Sequence, residues 1–209
     1  MISFITLASL RGAMYLPATY CKVRGFASGT LYRWRNEASW IEKTVAAALF
    51  AALMALASEV YIYLPFTPVP FTGEVFVVLL SAVCLGRYGA LSQAMYIGTG
   101  ACFGWFGSVV GLAALTSVTG GYLIGFMLAT VFLGELMERR QSWNAVQITL
   151  AMICAVGIIH ACGVIQLSLV FQMTLASAIE IGSLPFLLVD GLKAVMAVAV
   201  CNVLVPLKE

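Results

Sequence analysis

From residue 44 to residue 206 the chain runs through six successive apolar stretches, at 44–64, 72–86, 89–110, 119–136, 144–171 and 186–206, parted by short polar, glycine or proline breaks. Nothing else in the sequence limits the fold as strongly. A bilayer's hydrocarbon core is crossed by roughly 20 apolar residues in a helix, and lipid offers no partner to an open backbone N–H or C=O. Each stretch must therefore be helical. The expected fold is an all-α membrane protein with six transmembrane helices. The second stretch is short for a crossing, and Pro65, Pro68 and Pro70 precede it. That pattern predicts non-helical backbone dipping into the membrane there, shielded by protein. The segment 172–183 reads as a short amphipathic connector on the surface.

Composition agrees with the lipid environment. Of 209 residues, 62% are hydrophobic and 10% charged, against about 45–50% apolar and about 25% charged in soluble domains. A chain this small has too little interior to hide that much apolar surface. A soluble enzyme, a secreted disulfide scaffold and a disordered chain are excluded together. The net charge of +2 rests on 11 basic and 9 acidic side chains, too few for a nucleic-acid surface. The six cysteines lie scattered, most of them inside apolar runs, with no CxxC and no histidine at ligand spacing. Neither a metal site nor a disulfide framework is expected, and buried cysteine behaves as a small hydrophobe. No Walker A pattern is present, so the chain is not expected to hydrolyse ATP itself.

Residues 1–42 differ from the rest, with Arg11, Lys22, Arg24, Arg33 and Arg35 against only Glu37 and Glu42. The opening run Ile2–Leu10 is half a span, no positive charge precedes it and no A-x-A-like site follows, which argues against a cleaved signal peptide. Tyr20 before Cys21 likewise fits a lipoprotein cleavage site poorly. The segment reads as a basic leader, cytoplasmic or at the lipid headgroups, or as an over-extended start, ahead of a membrane domain at 43–209. With the leader inside, Lys43, Arg87, Arg139, Arg140 and Lys208 join it, and ten of the 11 basic residues are cytoplasmic. The positive-inside rule then places both termini in the cytoplasm.

The exception is Lys193, about two turns into the last stretch and three residues after Asp190. That spacing puts both on one helix face. An ionisable group in a span costs roughly 2.5–3.5 kcal/mol and marks a candidate functional site. The pair is either a self-neutralising device for insertion or a site where Lys193 meets a ligand anion and Asp190 orients it. On the same outer side, Pro65 to Thr72 is stiffened by its prolines, which lowers the entropy cost of closing on a ligand. Glu74 follows, either a solvated interfacial acid or part of a pocket mouth. The stretch Thr119–Phe126 offers Gly120, Gly121 and Tyr122, read as close helix packing through Gly121 and Gly125 or as a pocket wall. Ala47, Ala51 and Ala55 repeat at four-residue steps, for packing within the chain or for docking a partner subunit. His160, the single histidine, is expected to hydrogen-bond a neighbouring helix. Glu59 and Glu180 read as interfacial acids.

These motifs resemble one family. The Pro68-Val69-Pro70-x-Thr72 loop, the Thr119-Gly120-Gly121-Tyr122-Leu123-Ile124-Gly125-Phe126 opening and the Pro185-Phe186…Asp190-x-x-Lys193 ending occur in the same order in BioY. BioY is the biotin-specific substrate-binding (S) component of energy-coupling factor transporters. The resemblance covers roughly residues 45–206. It implies a vitamin importer in a bacterial inner (cell) membrane, with no cofactor and no motor of its own. It implies partnership with a transmembrane T component and two ATPase subunits. By the same resemblance Asp190, Lys193, Gly120, Gly121, Tyr122, Thr72 and Glu74 contact or line the biotin site, and the Ala47, Ala51, Ala55 stripe docks the T component. The chain departs from the family in carrying Glu74 for glutamine and Val118 for proline. Its Phe103–Ser108 loop fits the family's glycine-rich turn only loosely, and Ser108 lies near where some relatives place an asparagine contact. Within the class, a related small carboxylated vitamin or biotin precursor, or transport without partners, are the alternatives. An intramembrane enzyme using Asp190, Lys193 or His160 would need a nucleophile–base pair at suitable spacing, and none is visible.

Overall fold

The computed structural model describes residues 29–31, 33–104, 111–140 and 143–204. The expectations for residues 1–28, for Ser108 and for Lys208 fall outside these. In chain order the elements are α1 (Trp40–Glu59), β1 (Tyr61–Ile62), β2 (Phe71–Thr72), α2 (Glu74–Leu85), α3 (Tyr88–Phe103), α4 (Ala113–Thr116), α5 (Gly120–Arg139), α6 (Ala145–Phe171), α7 (Leu175–Gly182) and α8 (Leu184–Leu204).

Each apolar stretch holds one helix, and four of these (α1, α5, α6 and α8) are long and apolar enough to cross a membrane. The other two are shorter than their apolar stretches. α2 has 12 residues and α3 has 16, lengths of about 18 and 24 Å at 1.5 Å per residue. α3 stops at Phe103 because Gly104 adopts a left-handed conformation at φ 80° and its N–H returns to Gly100 O, a usual helix stop. The first stretch also ends its helix early, at Glu59. Beyond it the chain forms an antiparallel hairpin pairing Tyr61 with Thr72 and Ile62 with Phe71. The three prolines occupy its connecting loop, where Thr67 and Val69 are buried. The segment is non-helical, as the prolines predicted, but it is largely not shielded by protein: Ile62, Tyr63 and Phe66 are exposed.

Local signals set the helix starts. Ser39 and Glu42 form a reciprocal capping box on α1, and Asn144 and Gln147 do the same on α6, satisfying N–H groups that the first turn leaves open. α5 and α6 make the most extensive contact, and α2 sits amid α1, α3, α5 and α8. Small residues let α5 and α6 approach: a Cβ on Gly125 would stand 2.8 Å from Ile159 Cα, and one on Gly121 would strike the carbonyl of Cys162. Large apolar side chains point outward instead, with Leu49, Leu56, Leu169 and Leu188 all exposed. In lipid such a surface is solvated, so helix association rests on close packing and interior polar contacts.

The interior is where the polar residues gather. Glu74, Ser81, Ser92, Gln93, Thr130, His160, Asp190 and Lys193 are all buried, which inverts the arrangement of a soluble protein.

Candidate ligand-binding site

The hairpin ends at Thr72, and Gly73 N–H bonds Ala57 O at 3.4 Å, pinning β2 against the end of α1. α2 begins one residue later, so its first side chain, Glu74, turns inward and is buried. Two donors meet its carboxylate. Tyr96 from α3 donates its hydroxyl to Oε1 at 2.6 Å, and Thr72 donates Oγ1–H to Oε2 at 2.8 Å.

Opposite Thr72 stands α8. Lys193 Nζ donates to Thr72 O at 2.6 Å and to Asp190 Oδ1 at 2.6 Å, and it lies 4.1 Å from the centre of the Phe71 ring. Its charge is thus met by a carboxylate, a carbonyl and an aromatic face. The second oxygen of Asp190 meets His160 Nε2 at 3.1 Å, reaching across to α6. The other ring nitrogen, Nδ1, is buried with no hydrogen-bond partner. Tyr122 packs edge-on to this ring with centroids 6.3 Å apart and donates its hydroxyl to Gly182 O.

Tyr96, Glu74, Thr72, Lys193, Asp190 and His160 therefore form one continuous polar chain across α3, α2, the hairpin, α8 and α6. Buried charges cost several kcal/mol each unless their partners are well placed, so this chain is held by its own hydrogen bonds. It borders a cavity of about 60 Å³ walled by Phe71, Tyr122, Phe126 and Phe186. Pockets for small ligands run to several hundred Å³. At this size the cavity is narrow beside Lys193. The chemistry offered is recognition: an ammonium for an anion, carboxylates for N–H groups and aromatic faces for a ring. Among the described residues, no group of three or more His, Cys, Asp or Glu side chains is placed to hold a metal ion.

Of the residues singled out from sequence, Thr72, Glu74, Tyr122, Asp190 and Lys193 all line this cavity. Gly120 and Gly121 lie outside its lining, against Leu115 and Gln166 and against Cys162 at the contact with α6. Ala47 and Ala51 are buried inside the chain, and Ala55 packs at the edge of the core. Tyr96 and Phe71 had drawn no attention in the sequence. Tyr96 could have been found from its company, since it shares a run with the polar Ser92 and Gln93. His160 does bond a neighbouring helix as expected, and that bond places it in the site.

Membrane-length helices around a charged, aromatic-walled interior define a multi-pass membrane protein. The sequence matches the BioY family over residues 33–208. The biotin transporter BioY of Thermotoga maritima is 36% identical over 164 residues, covering 75% of this chain and 92% of its own. The probable biotin transporter BioY of Methanothermobacter thermautotrophicus is 38% identical over 138 residues, covering 61% of this chain and 88% of its own. A crystal structure of the S-component for biotin from an ECF-type ABC transporter shares the fold, with a TM-score of 0.69 over 78% of this chain and 89% of that one at 20% identity. The chain belongs to the BioY family.

Proposed function

We propose that this protein captures biotin as the S component of an energy-coupling factor transporter. The observation that carries the reading is the convergence of Lys193, Asp190, Glu74 and Thr72 on one aromatic-walled cavity. Biotin has a carboxylate on a flexible chain, which suits a mobile lysine ammonium better than a rigid fork. Its ureido ring carries two N–H groups and a carbonyl, which suit Asp190 or Glu74 and a neighbouring donor. Lys193 exchanges Thr72 O for the ligand's carboxylate as the hairpin opens, so the site trades an internal bond for a ligand bond.

In this reading all six helices cross the membrane, with residues 1–42 as a leader and both termini in the cytoplasm, as the basic residues favour. α2 crosses despite its length because it is surrounded by α1, α3, α5 and α8, and α3 crosses beside it. The membrane is the inner cell membrane. ATP hydrolysed on two partner ATPase subunits drives alternating exposure. A T component meets α1 through Ala55 and the outward-facing Ala48 and Ala52, since Ala47 and Ala51 face inward.

A second reading keeps the mechanism and changes the cargo. Glu74, a carboxylate in the cavity lining, would favour a biotin precursor or another small carboxylated vitamin with an additional donor. Equilibrium binding of radiolabelled biotin to the purified protein, with unlabelled vitamins as competitors, decides between them. Saturable binding displaced by biotin itself supports the first reading. Displacement by a precursor at lower concentration than biotin supports the second, and no saturable binding of either overturns both.

A further inference from the structure

Tyr122 walls the cavity beside Lys193, and α6 and α7 hold its ring at three places. Against the ring lies Gly163, buried in α6. A Cβ built on Gly163 would come within 2.5 Å of the Tyr122 ring carbons Cε1, Cζ and Cε2. Three adjacent ring carbons at nearly equal distance mean that a face of the ring, rather than its edge, rests on the glycine. At the tip, the hydroxyl donates to Gly182 O at the end of α7. A Cβ on Gly182 would stand 2.9 Å from that hydroxyl oxygen and 2.6 Å from Leu167 Cδ2, so this end of the seat is close-fitting too. At the side, His160 meets the ring edge-on with centroids 6.3 Å apart. His160 and Gly163 are three residues apart, so one face of α6 supplies both supports.

Glycine inside a helix is less stable than alanine, and α6 shows what a glycine without a neighbour looks like. Gly157 is exposed, and a Cβ there would meet nothing within 4 Å. The space beside Gly163 is instead taken by one side chain, the one that walls the cavity. Carbons in contact sit about 3.5–4 Å apart, so a methyl at 163 would lift the ring by about 1 Å or more. The backbone of α6 blocks retreat on that side. The displaced ring would therefore move toward a cavity of only about 60 Å³, and its hydroxyl would leave Gly182 O.

We propose that Gly163 is a positioning residue that sets the width of the ligand site: it lets the Tyr122 ring lie back on α6 and so makes room for a fused two-ring ligand rather than a single ring. Gly182 O fixes the rotation of the same ring. The inference rests on the biotin reading above, since biotin's ureido ring is fused to a sulfur-containing one.

The test is equilibrium binding of radiolabelled biotin to the purified full chain, with competition by dethiobiotin, which lacks the sulfur and so the second ring. Gly163→Ala should weaken biotin binding about tenfold or more and dethiobiotin binding about threefold or less, the scale of one misplaced methyl in a fitted pocket. Gly157→Ala, the same change on the same helix, should leave both unchanged. In a Tyr122→Leu background, adding Gly163→Ala should cost about twofold or less, because the methyl no longer meets a ring. Wild-type biotin affinity in Gly163→Ala, an equal loss for the two ligands, or an undiminished loss in the Tyr122→Leu background overturns the proposal. If Gly163→Ala fails to fold, the double variant decides: recovered folding supports the seat, and continued misfolding overturns it. The same cycle read by thermal unfolding needs no ligand, and Tyr122→Leu should suppress the loss of Tm caused by Gly163→Ala. Absence of biotin binding by the wild type would thus overturn the biotin reading, whereas an unsuppressed loss of Tm would overturn the seat.

Discussion

Lys193 hydrogen-bonds the main-chain carbonyl of Thr72, 121 positions earlier in the sequence, at 2.6 Å. This single contact ties the last helix to the hairpin, and it uses the same ammonium that balances Asp190. Lys193→Ala should therefore act twice. In the proposed function it removes the anchor for the ligand's anion, and it leaves Asp190 buried with only His160. Biotin affinity is expected to fall about 100-fold, on the scale for removing one member of a buried charge pair. Stability should fall by about 3 kcal/mol. Radioligand binding and detergent-phase unfolding read the two effects separately, and adding Asp190→Asn should recover much of the stability but none of the affinity. Wild-type affinity in Lys193→Ala would remove the lysine from the site.

Glu74 accepts two hydrogen bonds, from Tyr96 and Thr72, and a glutamine can accept at least one of them. Glu74→Gln should leave biotin affinity within about threefold and stability within about 1 kcal/mol, since the site keeps an acceptor. Tyr96→Phe should be worse for stability, by about 1–3 kcal/mol, because it leaves a buried carboxylate short of a donor. A double-mutant cycle on unfolding free energies checks this: the two changes together should cost less than their sum. Loss of all biotin binding in Glu74→Gln would favour the alternative cargo.

The glycines of α5 give a prediction about packing. Gly121→Ala and Gly125→Ala push α5 and α6 apart, because the added carbon meets backbone atoms. Each should lower stability by about 1–3 kcal/mol. In the protein that remains folded, affinity should change less than in Lys193→Ala. A reversed order, with affinity lost and stability kept, would put Gly121 in direct contact with the ligand.

Hydrogen exchange should locate the moving part. If the hairpin opens to admit ligand, the amides of residues 61–72 exchange faster than those of α5 and α6 without biotin, and slow on its addition. Protection of 61–72 that does not change at saturating biotin would mean that entry occurs elsewhere.

Much of this architecture could be read from residue order alone, for a physical reason. Lipid forces backbone bonds to close locally, so an apolar stretch commits to helix almost regardless of its side chains. The ends of the helices were less legible. Gly104 stops α3 well inside its apolar stretch, and the chain leaves α1 for the hairpin at residues that are themselves apolar, Val60 to Ile62. At the site, Asp190 and Lys193 announced themselves because charge is costly in a span, and they fall together at helical spacing. Tyr96 did not, because a tyrosine in an apolar run is ordinary, and only the fold brings it to Glu74. Gly121 and Ala51 illustrate the converse ambiguity: a small residue permits close approach but does not name what approaches. In this fold that neighbour is the chain's own helix in both cases.

The internal bonding of Lys193 bears on what the protein does while idle. A carrier spends most of its life empty, and any water-filled passage through it would let protons or sodium run down the membrane potential. Here the space is about 60 Å³, and the lysine in its lining is bonded to Thr72 O. A positive charge there disfavours the entry of cations. In the proposed function the residue that meets cargo is the one already bonded to Thr72 O, so the same charge serves the empty and the loaded protein.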